Sequence, residues 1–167
     1  GIDTDNWNPA TDKLLAANYD AETAIANKKI NKKTLQESLG LDVDDHKIVI
    51  GLISRLTNQK GLDLVNDIIP SIMDEHTQVV VLGTGEANAE NAFKWMEQEY
   101  KGQAVYYCGY NEDLAHLIYA ASDLFLMPSL YEPCGIGQLI AMHYGALPVV
   151  RETGGLRDTV QPFNQFE

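Results

Sequence analysis

A carboxylate and two glycines fall together in Ser129-Leu130-Tyr131-Glu132-Pro133-Cys134-Gly135-Ile136-Gly137-Gln138-Leu139-Ile140, between an apolar run and an amphipathic one. Ile136, Leu139 and Ile140 recur at i, i+3 and i+4, one face of a helix, so the stretch reads as a strand-to-helix turn. Pro133 disfavours helical dihedrals at Glu132, which keeps that carboxylate in an extended turn. Gly135 and Gly137 let a ligand approach the backbone closely. The free N–H groups at a helix start, with the positive end of the helix dipole, suit a phosphate. A carboxylate for sugar hydroxyls beside an anion hole for a diphosphate is what a nucleotide-sugar site needs; the same residues also serve as a plain turn carrying a surface Glu.

A second constellation is Ser54-Arg55-Leu56-Thr57-Asn58-Gln59-Lys60-Gly61, after an apolar run. No other Lys or Arg occurs between Ile48 and Phe93. Both cations are expected on one strand-to-helix loop, where Arg55 can bind a diphosphate bidentately and Lys60 as a point charge; two charges on a solvated loop is the competing reading. Gly83-Thr84-Gly85-Glu86 and Gly154-Gly155 turn the chain or admit backbone to a ligand. Tyr110, after Gly109 at another strand end, can stack on a base or cover the sheet edge. No G-x-G-x-x-G follows a strand, which disfavours a dinucleotide site.

The elements that must carry these residues alternate. Strands are expected at 47–53, 78–82, 105–108, 124–127 and 147–150, and helices at 62–75, 87–100, 112–121 and 137–144. Asn111 reads as the N-cap of the third of those helices. The strands are continuous apolar runs, the mark of a parallel sheet covered on both faces. The predicted fold is therefore α/β, a doubly wound, Rossmann-like sheet, with ligands outside the carboxyl ends of the strands. All the constellations above lie at such ends. Residues 1–44 read as an opening segment with a turn at Asn8-Pro9 and helices at 21–28 and 32–39, the second stopped by Gly40; residues 45–167 form the alternating core of a single domain.

Composition narrows the partners. The chain has 167 residues and a net charge of −12, from 12 basic and 24 acidic side chains. That sign repels nucleic acid and anionic membrane, and an anionic ligand then needs a local basic cluster. No apolar run is long enough to span a membrane. Cys108 and Cys134 make no disulfide or metal pattern, in keeping with a reducing, cytoplasmic setting. His46, His76, His116 and His143 lack metal spacing and read as surface or internally satisfied residues. The chain opens on Gly1 and closes at Glu167 in a loop-like stretch, so it reads as cut from a longer protein.

Together these segments resemble the C-terminal domain of bacterial glycogen synthases, in the ADP-glucose-dependent glycogen/starch synthase family of retaining glycosyltransferases. The resemblance rests on Gly1-Ile2-Asp3 with Trp7-Asn8-Pro9, Ser54-Arg55-Leu56-Thr57 with Gln59-Lys60-Gly61-Leu62, Glu132-Pro133-Cys134-Gly135 with Gln138-Leu139, Tyr144-Gly145, Pro148-Val149-Val150-Arg151 and Thr153-Gly154-Gly155-Leu156. It implies the C-terminal half of the two-domain GT-B fold. It also implies that Arg55 and Lys60 hold the ADP diphosphate, that Glu132 and Cys134 meet the glucose hydroxyls with Gly135 nearby, that backbone N–H groups of Ile136 and Gly137 meet the distal phosphate, that Gln138 belongs to the donor-sugar loop, and that Tyr110 lies against adenine. Two departures stand out. Related transferases often carry a second Glu eight residues after the first, where this chain has Ile140, as glycogen synthases commonly do; Gly137 stands where relatives often have Thr.

The implied activity is transfer of glucose from ADP-glucose to the 4-hydroxyl of an α-glucan acceptor, with no cofactor or metal, the basic pair supplying the neutralising charge. The implied partner is an N-terminal domain carrying an Asp, a His and a Lys-x-Gly-Gly loop. The alternatives are another retaining GT-B enzyme using UDP-glucose and a non-catalytic nucleotide-binding module.

Overall fold

The computed structural model describes residues 4–127, 136–152 and 155–158, with side chains described as far as residue 149. Glu132, Cys134 and Gly135 lie outside the described residues. Six strands form one sheet: β1 (Ile48–Ile53), β2 (Thr77–Gly83), β3 (Ala104–Cys108), β4 (Leu124–Met127), β5 (Leu147–Glu152) and β6 (Gly155–Asp158), in the order β3-β2-β1-β4-β5-β6. β1 to β5 are parallel, and β6 returns antiparallel along β5, with Arg151 opposite Leu156. All five predicted strands are present. β6 is an addition: where the sequence suggests a loop, Gly155 opens a strand and pairs with Glu152 of β5.

Side chains alternate between two cores, as a sheet covered on both faces requires. Val49, Val80, Leu82, Phe125 and Met127 face one side, with Leu35, Ile118, Ile140 and Tyr144. Ile50, Leu52, Val79, Val81 and Leu126 face the other, with Leu64, Ile69, Phe93 and Met96. Helices α1 (Ala24–Leu39), α5 (Glu112–Ala121) and α6 (Ile136–His143) supply the first cover. The second is α2 (Asn58–Asp63), a π-helical turn at Leu64–Ile68, α3 (Ile69–Ile72) and α4 (Ala87–Glu99). Among the described residues no helix is long and apolar enough to cross a membrane.

Three helix expectations are revised. α1 is one helix rather than two, because a tertiary contact holds its middle: Asn31 is fully buried and its amide bonds both the N–H and the carbonyl of Ala17. The helix predicted from 62 begins at Asn58, because Thr57 caps it by accepting from the Lys60 N–H (3.2 Å). It then widens into a π turn before Pro70, whose missing N–H and bulky ring disrupt the ordinary i to i−4 ladder. Gly40 ends α1 in the left-handed region (φ 72°), and Asn111 caps α5 through its side chain, both as expected.

The sheet order reverses between β1 and β4. From β1 the chain winds outward through β2 to β3; from β4 it winds the other way to β5. Ligands of doubly wound sheets bind at such a reversal, beyond the carboxyl ends of the strands. The carboxyl ends of β1, just before Arg55, and of β4 therefore lie at the same edge.

Candidate nucleotide-binding edge

The carboxyl edge is built by backbone before any side chain enters. Beyond β1 and β2 the chain keeps pairing: the Ser54 N–H donates to Leu82 O, the Leu56 N–H to Thr84 O, and the Glu86 N–H to Leu56 O. Arg55 thus sits between two pinned residues. This close approach requires Gly83, at φ 159°, because a Cβ there would lie 1.8 Å from the Ser54 carbonyl oxygen. The Gly83 carbonyl accepts from the Tyr106 hydroxyl and from the Gly109 N–H, which ties β3 to the same edge. Burial and the Cys108 contact push the Tyr106 hydroxyl well above its ordinary pKa. Gly109, at φ 111°, then turns the chain into Tyr110.

The helix starts behind the edge cap one another. The Glu86 carboxylate accepts from the Asn58 N–H (3.0 Å), at the first position of α2. The Asn58 side-chain oxygen accepts from the Asn88 and Ala89 N–H groups, in the first turn of α4. Each helix thus supplies the other with an acceptor for otherwise unpartnered donors. Their close contact depends on Gly61, where a Cβ would come within 2.3 Å of Ala89 Cβ.

Two open clefts result. One, of about 290 Å³, is lined by Ser54, Arg55, Gly83, Thr84, Gly109 and Tyr110, with Ile53 and Leu82 behind. The other, of about 310 Å³, is lined by Arg55, Leu56, Thr57, Thr84, Gly85 and Glu86. Arg55 and Thr84 line both. Tyr110 is 64% exposed. Its hydroxyl donates to Glu112 Oε2 (2.7 Å), and partial burial together with that bond pushes its pKa up to about 12. The same bond, with a second from His116, holds the Glu112 carboxyl below its usual range.

The structure brings Arg55 and Tyr110 to one cleft. Lys60 is exposed on the first turn of α2 and lines neither cleft, so the two cations do not share a loop. Ile136, Gly137 and Gln138 form the first turn of α6, whose N–H groups have no partner within the helix. Ile136 is 43% exposed. Sequence reasoning missed Ser54, Thr84 and the Asn58–Glu86 exchange; capping-type residues directly after two strands were the available signal.

Two other features invite attention and belong elsewhere. An open cleft of about 480 Å³ lies against α1, between Lys29, Lys33 and Asp44, away from the carboxyl ends of the strands. Asp44, Asp45 and His46 form the only cluster of metal-ligand type among the described residues; they are exposed and lie in the turn before β1.

The class these features define is a doubly wound α/β domain with an open, cation-bearing cleft at its carboxyl edge. Residues 47–165 match the family described as glycosyl transferases group 1, and the chain belongs to that family. It is 51% identical to a glycogen synthase from Bacillus cereus (strain Q1) over 165 residues, 99% of this chain and 34% of that protein. The solved catalytic domain of starch synthase IV from Arabidopsis thaliana, bound to ADP and acarbose, superposes with a TM-score of 0.80 at 42% identity, covering 93% of this chain and 32% of that one. The C-terminal domain of a glycosyl transferase group 1 family protein from Francisella tularensis shares the fold alone, with a TM-score of 0.55 at 16% identity over 90% of this chain and 70% of that one. The fold is that of the C-terminal half of a GT-B glycosyltransferase. The chain spans about a third of the length of the curated relatives it matches.

Proposed function

We propose that this chain is the donor-nucleotide half of an α-1,4-glucan synthase that moves glucose from ADP-glucose to the 4-hydroxyl at a glucan end, with retention at the anomeric carbon. The observation that carries this reading is the convergence of Arg55 and Tyr110 on one cleft at the carboxyl edge. Its support is the 42% identity to a starch synthase solved with ADP and acarbose.

In this reading the Tyr110 ring lies against adenine and Arg55 meets the diphosphate. Lys60 approaches the diphosphate from α2, and the Ile136 and Gly137 N–H groups approach from α6. As the C1–O bond breaks, its electron pair leaves with ADP, and charge grows on the diphosphate. Fixed donors aimed at that charge stabilise the transition state without reorganising. Glu132 and Cys134 orient the glucose hydroxyls, and Gly135 and Gln138 complete the donor loop. No metal enters this scheme, the cations and helix N-terminus sharing the neutralisation. The acceptor glucan and the facing N-terminal domain complete the site. Positioning two substrates supplies about 7–11 kcal/mol of a barrier, and half a cleft cannot provide that.

The test is titration calorimetry of this chain with ADP and with UDP, alongside radiolabelled glucose incorporation into glycogen. ADP is expected to bind more tightly than UDP, and the chain alone is expected to incorporate no label while a full-length relative does. Equal affinity for the two nucleotides would remove the ADP-glucose assignment, and incorporation by this chain alone would remove the two-domain requirement.

A further inference from the structure

Tyr110 poses a physical problem for a base platform. With 64% of its surface exposed, the ring has little packing to hold it at the cleft. A freely rotating ring must be ordered when the nucleotide binds, at a cost in affinity. The structure supplies a restraint from the other direction. The Tyr110 hydroxyl donates to Glu112 Oε2 (2.7 Å), Glu112 Oε1 meets His116 Nε2 (3.1 Å), and His116 Nδ1 meets Asp12 Oδ2 (2.5 Å). The Tyr144 hydroxyl closes the chain on Asp12 Oδ2 (2.6 Å).

Burial deepens along this chain. The side chains of Glu112, His116 and Asp12 are 49%, 1% and 2% exposed. The imidazole is also fixed in plane: the Trp7 ring stacks on it at 3.8 Å between centroids, 5° from parallel. One end of the chain is therefore rigid core and the other is a solvent-facing ring at the candidate cleft. A helix that needed only an acidic residue in its first turn would not require that residue to bridge a buried histidine and an exposed tyrosine.

We infer that Glu112 and His116 are positioning residues for the nucleotide cleft: they hold the Tyr110 ring through a hydrogen-bonded chain anchored on Asp12 in the core. This rests on the reading of Tyr110 as the base platform. Glu112 touches no nucleotide; it acts through the tyrosine hydroxyl. The opening segment, which supplies Trp7 and Asp12, thereby sets the geometry of a cleft whose described lining comes from other parts of the chain.

The experiment uses this chain with ring-labelled tyrosine, in the unaltered form and as Tyr110→Phe, Glu112→Ala and the double variant. Tyr110→Phe breaks the same link while leaving the Glu112 contact with buried His116 in place, which separates the loss of restraint from any loosening of the core. In ligand-free spectra, the Tyr110 ring resonances, assigned by their absence from Tyr110→Phe, are expected to shift and sharpen in Glu112→Ala. ADP affinity is expected to fall about three- to ten-fold in either single variant. The double variant should fall no further, since both changes break the same link. Inorganic pyrophosphate, which has no base to stack, should bind all four forms alike. Unchanged Tyr110 resonances in Glu112→Ala, or additive losses in the double variant, would overturn the inference. Failure of the unaltered chain to bind ADP would instead overturn the nucleotide reading, and the ligand-free spectra would still decide the restraint.

Discussion

Two regions of this molecule carry residues of catalytic type, and only one is open to a ligand. Around His116, an aspartate, a glutamate, a tyrosine and a stacked tryptophan converge as densely as in many active sites. Yet Asp12, His116 and Tyr144 are buried, and each polar atom meets a partner. At the carboxyl edge the functional groups are sparse, Arg55 and Tyr110 above all, but they are exposed and line open clefts. A constellation becomes a candidate site through unspent bonding capacity facing a space. The buried cluster has spent its capacity on fixing the opening segment to α5 and to Tyr144, just after α6.

The sharpest way to separate the two regions is to break each alone. Asp12→Ala strips a carboxylate from a buried histidine and a buried tyrosine hydroxyl, and should cost about 3–5 kcal/mol of stability. In chemical denaturation its midpoint should drop steeply, while the surviving folded fraction loses no more ADP affinity than Glu112→Ala does, against about ten-fold or more for Arg55→Ala. Gly83→Ala forces a Cβ into the Ser54 carbonyl, an obstruction against fixed backbone that should cost about 3 kcal/mol. Here melting temperature and ADP affinity should fall together, because the same contact builds the fold edge and the cleft; loss of stability with normal affinity would show that the edge does not shape the site.

Smaller effects refine the carboxyl edge itself. Arg55→Ala should weaken ADP binding about ten-fold or more with no change in melting temperature, since the side chain is exposed. Lys60→Ala should weaken it less, because Lys60 lines neither cleft; calorimetry giving Lys60 the larger loss would place the diphosphate nearer α2 than Arg55. Tyr110→Ala should cost more ADP affinity than Tyr110→Phe, because the ring itself is lost, and leave pyrophosphate affinity unchanged. Equal losses for both ligands would reduce Tyr110 to a surface residue.

The chain's own residues determined the alternation of apolar runs and amphipathic helices, the five parallel strands, the cap at Asn111, the stop at Gly40 and the placing of Arg55 and Tyr110 at strand ends. These follow from local rules of periodicity and turn chemistry, which act within a few residues and so are written in sequence. Tertiary contact decided the rest. Asn31 holds α1 unbroken through a bond to residue 17. Glu86, 28 residues away, caps the start of α2 and so helps draw Lys60 out of the loop it was assigned to. Asp12 reaches across 104 residues to make His116 part of the core. Each of these pairs a donor and an acceptor far apart in the chain, and no local pattern records which distant group will satisfy a buried polar atom. Only folding brings the two together, and with them the edge on which the cleft is built.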